Sequence, residues 1–176
     1  MGEKMGRVII FAGEGSGKTT AALGIAFRAA GHGMKTLVVQ FVKRRLCGEH
    51  AAARMLGGLV EIRPAGTGFL HEDDAEAMEE ARGAAQKALE QSRQALTGGT
   101  YDIVVLDEVL FAVSRGLVDA GAVRAAVEKR DRRVHVILTG RGAYEPFADM
   151  ADTITPMDCV KHAYDAGRPG TEGIEF

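Results

Sequence analysis

Apolar residues in this chain gather in short β-branched runs, and the longer stretches between them carry helical spacing. Val8-Ile9-Ile10-Phe11, Thr36 to Val42, Leu59 to Arg63, Asp102 to Asp107 and Val134 to Thr139 read as strands. Asp152 to Pro156 reads as a last extended piece. Between them, Thr20 to Ala26 lies in a first helix that ends at Gly31-His32-Gly33, and Glu49 to Leu56 is a short second one. Asp73 to Leu96 is a long helix rich in Ala, Glu, Gln and Lys, stopped by Gly98-Gly99, and its charges fit a solvated face. Asp119 to Lys129 and Pro146 to Met150 complete the helices. Strands alternating with helices predict a mostly parallel sheet covered on both faces.

Composition narrows the class. At 176 residues and 46% hydrophobic content, one good core is within reach, so residues 1–176 are expected to form a single domain. A net charge of −2, 6% aromatic residues and no tryptophan give neither an electrostatic pull toward nucleic acid nor a base-stacking platform. No apolar run is long enough to span a membrane, and Val8 to Ala12 is too short for a signal-peptide core. Cys47 and Cys159 form no CxxC pair and suit buried filler positions. The expected setting is therefore the reducing cytoplasm. Gly167 to Glu175 is the one stretch expected to be a flexible tail.

The chemistry begins at Gly13-Glu14-Gly15-Ser16-Gly17-Lys18-Thr19-Thr20, between the first strand and the first helix. Glycines let backbone N–H groups converge on phosphate oxygens, and the helix N-terminus adds partial positive charge there. Lys18 would lie along the outer phosphates and the Thr19 hydroxyl would ligate Mg²⁺. The general motif has glycine where this chain has Ala12. The order strand, Gly-Lys-Thr, helix still predicts a nucleoside triphosphate site. The fold expected around it is α/β, P-loop NTPase-like (RecA-like), three-layered, with a mostly parallel central sheet.

A second signal is Ile103-Val104-Val105-Leu106-Asp107-Glu108, an apolar strand ending in two carboxylates. In parallel sheets functional groups collect at the carboxyl ends of strands, where the phosphate loop also lies. Asp107 and Glu108 are thereby placed to hold Mg²⁺ with Thr19, directly or through water. Two roles stay open for Glu108 at this point: a base activating water in an ATPase, or a metal ligand in a reaction that leaves the phosphate chain intact.

Further blocks discriminate between them. Gly17 to Gly24, Arg28-Ala29-Ala30-Gly31-His32-Gly33, Val38-Val39-Gln40-Phe41-Val42-Lys43, Gly66-Thr67-Gly68-Phe69 and Leu106-Asp107-Glu108 occur in this order. Leu138-Thr139-Gly140-Arg141-Gly142, Val160 to Gly167 and the terminal Gly173-Ile174-Glu175-Phe176 follow them. In these blocks the chain resembles the ATP:corrinoid adenosyltransferases, the small P-loop family that makes adenosylcobalamin. The resemblance implies that a reduced corrinoid, Co(I), attacks the 5′ carbon of ATP and expels triphosphate, so no nucleophilic side chain is needed. Lys18, the loop N–H groups and Mg²⁺ on Thr19 and Glu108 would neutralise the leaving group. Arg141 is open to two roles, a phosphate contact or a structural ion pair, and Arg28 reads as structural. Lys161, His162 and Asp165 lie in what resembles the family's nucleoside-binding stretch, although by residue type alone His162 is an ordinary turn histidine. The implied partners are ATP, a reduced corrinoid, an electron-donating reductase and a second copy in a homodimer. A non-catalytic ATP- or corrinoid-binding module and a general P-loop ATPase or kinase are the rival readings.

The chain departs from the family pattern at several positions. Ser16 stands where the family usually has Lys, and Glu14 where it has Asn or Asp; both changes weaken attraction for triphosphate. Arg44 and Arg45 follow Lys43 where the family has Gly, which returns positive charge. Gly68-Phe69-Leu70-His71 replaces Gly-Phe-Thr-Trp. The family's aromatics there are associated with displacing the corrinoid's lower axial ligand, so Phe69 is expected to serve catalysis. His71 is expected on the corrinoid side; by residue type it is a potential metal ligand, with a solvated loop residue as the alternative. Only Met1 to Gly6 precede the first strand, so the longer N-terminal cover of some members is expected to be absent.

Overall fold

The alternation of strand side chains between the two faces of the sheet decides the layers. A computed structural model of the chain describes residues 5–68 and 73–175. Its strands are β1 (Val8–Ala12), β2 (Thr36–Gln40), β3 (Val60–Pro64), β4 (Ile103–Asp107), β5 (His135–Gly140) and β6 (Thr153–Pro156), and its helices are α1 (Lys18–Ala30), α2 (Gly48–Arg54), α3 (Ala75–Thr97), α4 (Val109–Ser114) and α5 (Ala120–Glu128). Val8, Ile10, Leu37, Val39, Val104, Leu106, Val136 and Leu138 face a core shared with α3, α4 and α5. The alternate residues Val38, Val105 and Ile137 face α1 on the other side. The result is three layers, α/β/α.

All six strands run parallel, in the order β3-β2-β4-β5-β1-β6. The interior strands β2 and β4 are buried along their whole length, which explains their near-continuous apolar sequences. Pro64 ends β3 and Pro156 ends β6, the two edge strands, where a missing N–H interrupts no ladder. β5 lies between β1 and β4, so the strand that leads into the phosphate loop and the strand that carries the acids are two strand spacings apart, roughly 10 Å between backbones.

Several elements differ from the sequence reading. The second strand stops at Gln40: the Phe41 N–H still donates to the Asp107 carbonyl, but the chain bends at Phe41 and Val42, where the Gly68 N–H donates to the Val42 carbonyl. Asp107 to Val118 showed no helix in its pattern, yet α4 begins directly after Glu108. Val109, Leu110 and Ala112 are buried there, and the partly exposed Phe111 and Val113 are apolar too, so the sequence of that six-residue helix shows no polar stripe to betray its period. Pro146 to Met150 falls in a 3₁₀ helix, and Gly167 to Glu175 is exposed.

α4 can sit this close to the sheet only because residue 140 has no side chain. Gly140 has φ 146°, and a Cβ there would lie 2.8 Å from the Phe111 amide nitrogen. Gly140→Ala is therefore expected to cost roughly 2–4 kcal/mol through backbone strain plus overpacking. A lower urea midpoint with unchanged slope would register it; a wild-type midpoint would refute the fit.

Candidate functional site

The site is built from the carboxyl ends of β1, β4 and β5 and the N-terminus of α1. Gly13 and Gly17 have φ of 115° and 103°, which turns the chain between β1 and α1 into a loop around its own amides. The Gly13 N–H donates to the Gly140 carbonyl and the Gly15 N–H to the Met157 carbonyl. A Cβ on Gly15 would lie 2.7 Å from the Asp158 and Met157 carbonyl oxygens, so the loop and the segment after β6 pack backbone to backbone. The first intrahelical bond runs from the Ala21 N–H to the Gly17 carbonyl, so the first-turn amides of Lys18, Thr19 and Thr20 have no intrahelical acceptor, which is the physical basis of an anion site.

Lys18 is 6% exposed. Its Nζ donates to the Gly13 and Gly15 carbonyls, both at 2.7 Å. Burial lowers its pKa, and the nearby Glu108 carboxylate works against that fall. Triphosphate would bind by taking over one or both of these hydrogen bonds, giving the ammonium an anion in place of neutral carbonyls.

Asp107 is the hub of the polar network. Its Oδ1 accepts from Thr19 Oγ1 and from Thr139 Oγ1, each at 2.8 Å, and its Oδ2 accepts from Gln40 Nε2 at 3.4 Å. Burial pushes its carboxyl pKa up, and the two threonine hydroxyls oppose the shift. Because Thr19 gives its proton to Asp107, its lone pairs remain for a cation. Glu108 is half-buried and is the one non-glycine residue with positive φ among the described residues, at 60°. Burial raises its pKa, and Asp107 raises it further. A partly desolvated acid next in sequence to Asp107, which itself holds the Thr19 hydroxyl, is a donor set that suits a hard cation such as Mg²⁺.

Gln40 also reaches Glu49 at 3.4 Å, and Glu49 pairs with Lys43 at 2.6 Å. Burial raises the Glu49 pKa, but the Lys43 bond wins and leaves it low. A polar chain thus runs from Lys43 to Asp107. Sequence reasoning assigned no role to Gln40, Glu49 or Thr139; for Gln40 and Thr139 the signal was a polar residue at the end of an apolar strand, within blocks shared with the family, and Glu49 in α2 carried none.

The remaining expected residues divide. Ser16 does not point to the loop's centre: its Oγ meets His162 Nε2 at 2.8 Å. The Tyr164 N–H donates to His162 Nδ1, so Nε2 carries the proton and gives it to Ser16. Lys161 and Asp165 are exposed on the same segment, and Thr20 is exposed on α1. Arg141 makes a loose, exposed pair with Glu14 at 3.7 Å, while its backbone N–H supports Glu108. Arg28 is exposed in the last turn of α1, where a cation suits the helix dipole. Phe69 and His71 lie outside the described residues.

Comparison with known proteins bears on this geometry. A solved KaiC-like protein from Pyrococcus horikoshii shares the fold, with a TM-score of 0.54 and 16% identity over 90% of this chain and 75% of that one. A corrinoid adenosyltransferase of Pseudomonas aeruginosa is 37% identical over 175 residues, covering 99% of this chain and 85% of its own. One from Escherichia coli is 35% identical, covering 99% and 87%. The family model for the ATP:corrinoid adenosyltransferase BtuR/CobO/CobP matches residues 4–176. With relatives at this identity along the full sequence, the chain belongs to the ATP:corrinoid adenosyltransferase family.

Proposed function

We infer that this protein is an enzyme that moves the 5′-deoxyadenosyl group of ATP to the Co(I) of a reduced corrinoid. The cobalt electron pair forms the Co–C5′ bond, the C5′–O5′ bond breaks, and the triphosphate leaves with that bond's electrons. The observation that carries this reading is the joining of the phosphate loop to two strand-end acids through the Thr19–Asp107 hydrogen bond, in a chain of this family. The chain supplies positioning and charge: Lys18 and the amides of α1 hold the triphosphate, which is the leaving group. Thr19 and Glu108 would hold Mg²⁺, which neutralises phosphate charge, and Asp107 acts through the Thr19 hydroxyl.

Residues 1–176 act as one P-loop domain in this reading. Lys161, His162 and Asp165 contact the nucleoside, from a segment already fastened to the loop by Ser16. Phe69 crowds the corrinoid's lower face, with His71 beside it. Because the substrate is Co(I), an electron donor belongs to the working system; a homodimer rests on family likeness alone. The cytoplasm suits two free cysteines, and among the described residues no helix is long and apolar enough to cross a membrane.

The test is anaerobic incubation with ATP, Mg²⁺ and chemically reduced cobalamin. Triphosphate and adenosylated corrinoid should form in equal amounts, and only when both substrates are present. ADP release without corrinoid would replace this reading by an ATPase. Binding of both ligands with no product would leave a binding module.

A further inference from the structure

We propose that Thr139 is a positioning residue that sets both acids of the site with a single hydroxyl, an inference that rests on the transferase reading above. Thr139 is wholly buried at the end of β5, the strand between the phosphate-loop strand and the acid-bearing one. A hydroxyl has one proton and two lone pairs. Here the proton goes to Asp107 Oδ1 at 2.8 Å, and a lone pair receives the Glu108 N–H at 2.9 Å.

Each bond does separate work. The first fixes the Asp107 carboxylate so that the same Oδ1 takes the Thr19 proton, which turns the Thr19 lone pairs outward for a cation. The second holds the Glu108 backbone in the left-handed region, a conformation costly for a residue with a Cβ. That turn decides where the Glu108 side chain leaves the sheet edge. Next in sequence, Gly140 leaves room for the first turn of α4, which starts from Glu108. One buried group thus orients Thr19 through Asp107 and Glu108 through its amide. A hydroxyl that merely filled its place would affect stability alone.

Thr139→Val keeps the shape and removes both bonds; Thr139→Ser keeps the hydroxyl. Calorimetry on the full chain compares binding of ATP with Mg²⁺ and ATP in EDTA, and triphosphate release with reduced cobalamin is followed against Mg²⁺ concentration. Thr139→Val should raise the Mg²⁺ needed for half-maximal rate by about tenfold or more, in the range seen when partners of metal ligands are removed. It should lower kcat, leave KM for the corrinoid near wild type, and shrink the affinity advantage of Mg·ATP over metal-free ATP. Thr139→Ser should restore most of each. Unchanged Mg²⁺ dependence in Thr139→Val overturns the proposal, as does equal weakening of both forms of ATP. If the valine variant does not fold, Thr139→Cys, similar in size and a weaker hydrogen-bonding group, should shift the same quantities part of the way, and wild-type values there count against the role. Wild-type protein that makes no adenosylated corrinoid would sink the transferase reading, while the calorimetric comparison would still decide the role of Thr139.

Discussion

Glu108→Gln should lower turnover by about a hundred- to a thousandfold, the size of effect seen when a preorganised charge-stabilising group is lost. Glutamine keeps the shape of the side chain and its place at the start of α4, so the fold should persist. What changes is charge. The wild-type acid is half-buried beside Asp107, and burial and its neighbour both resist its ionisation. A divalent cation at Thr19 reverses that resistance and gains a ligand by doing so. The amide offers the cation a neutral oxygen only, so the Mg²⁺ requirement should also rise. The readouts are triphosphate release against Mg²⁺ concentration and circular dichroism. Wild-type turnover with a wild-type Mg²⁺ curve would remove Glu108 from the metal site.

Lys18→Ala should have a similarly large effect on a different quantity. Lys18 is nearly enclosed, with its ammonium resting on two loop carbonyls. Once triphosphate enters, the ammonium meets negative oxygens where little water screens the attraction. Its loss should reduce kcat/KM roughly a thousandfold, equivalent to about 4 kcal/mol of transition-state stabilisation. Folding stability should move by only about 1 kcal/mol, since the freed carbonyls lose a donor while the cost of burying a cation disappears. Calorimetry with Mg·ATP and a thermal melt separate the two effects. An unchanged ATP affinity would show that Lys18 stays on the loop carbonyls throughout.

Much of this was legible locally. β1, β4 and β5 announced themselves as β-branched runs, and the loop of residues 13–19 as glycines before a Lys-Thr pair, because strand period and glycine freedom are properties of adjacent residues. The ends of elements were less legible. β2 was read two residues too long, because Phe41 and Val42 are as apolar as the strand itself. α4 was invisible, since five of its six residues are apolar and so few residues show no helical period.

The amino-acid sequence by itself determined the α/β alternation, the phosphate loop, the two adjacent acids and the family, all carried by contiguous residues. The tertiary structure alone decided which groups meet. Thr19 bonds to Asp107, 88 residues away, and Ser16 faces His162, 146 residues away, rather than the loop's centre. Thr139 joins Asp107 and Glu108 because β5 inserts between β1 and β4, a strand order that no local pattern encodes. Periodicity reports which face of an element is buried; which neighbour it is buried against depends on packing the whole sheet.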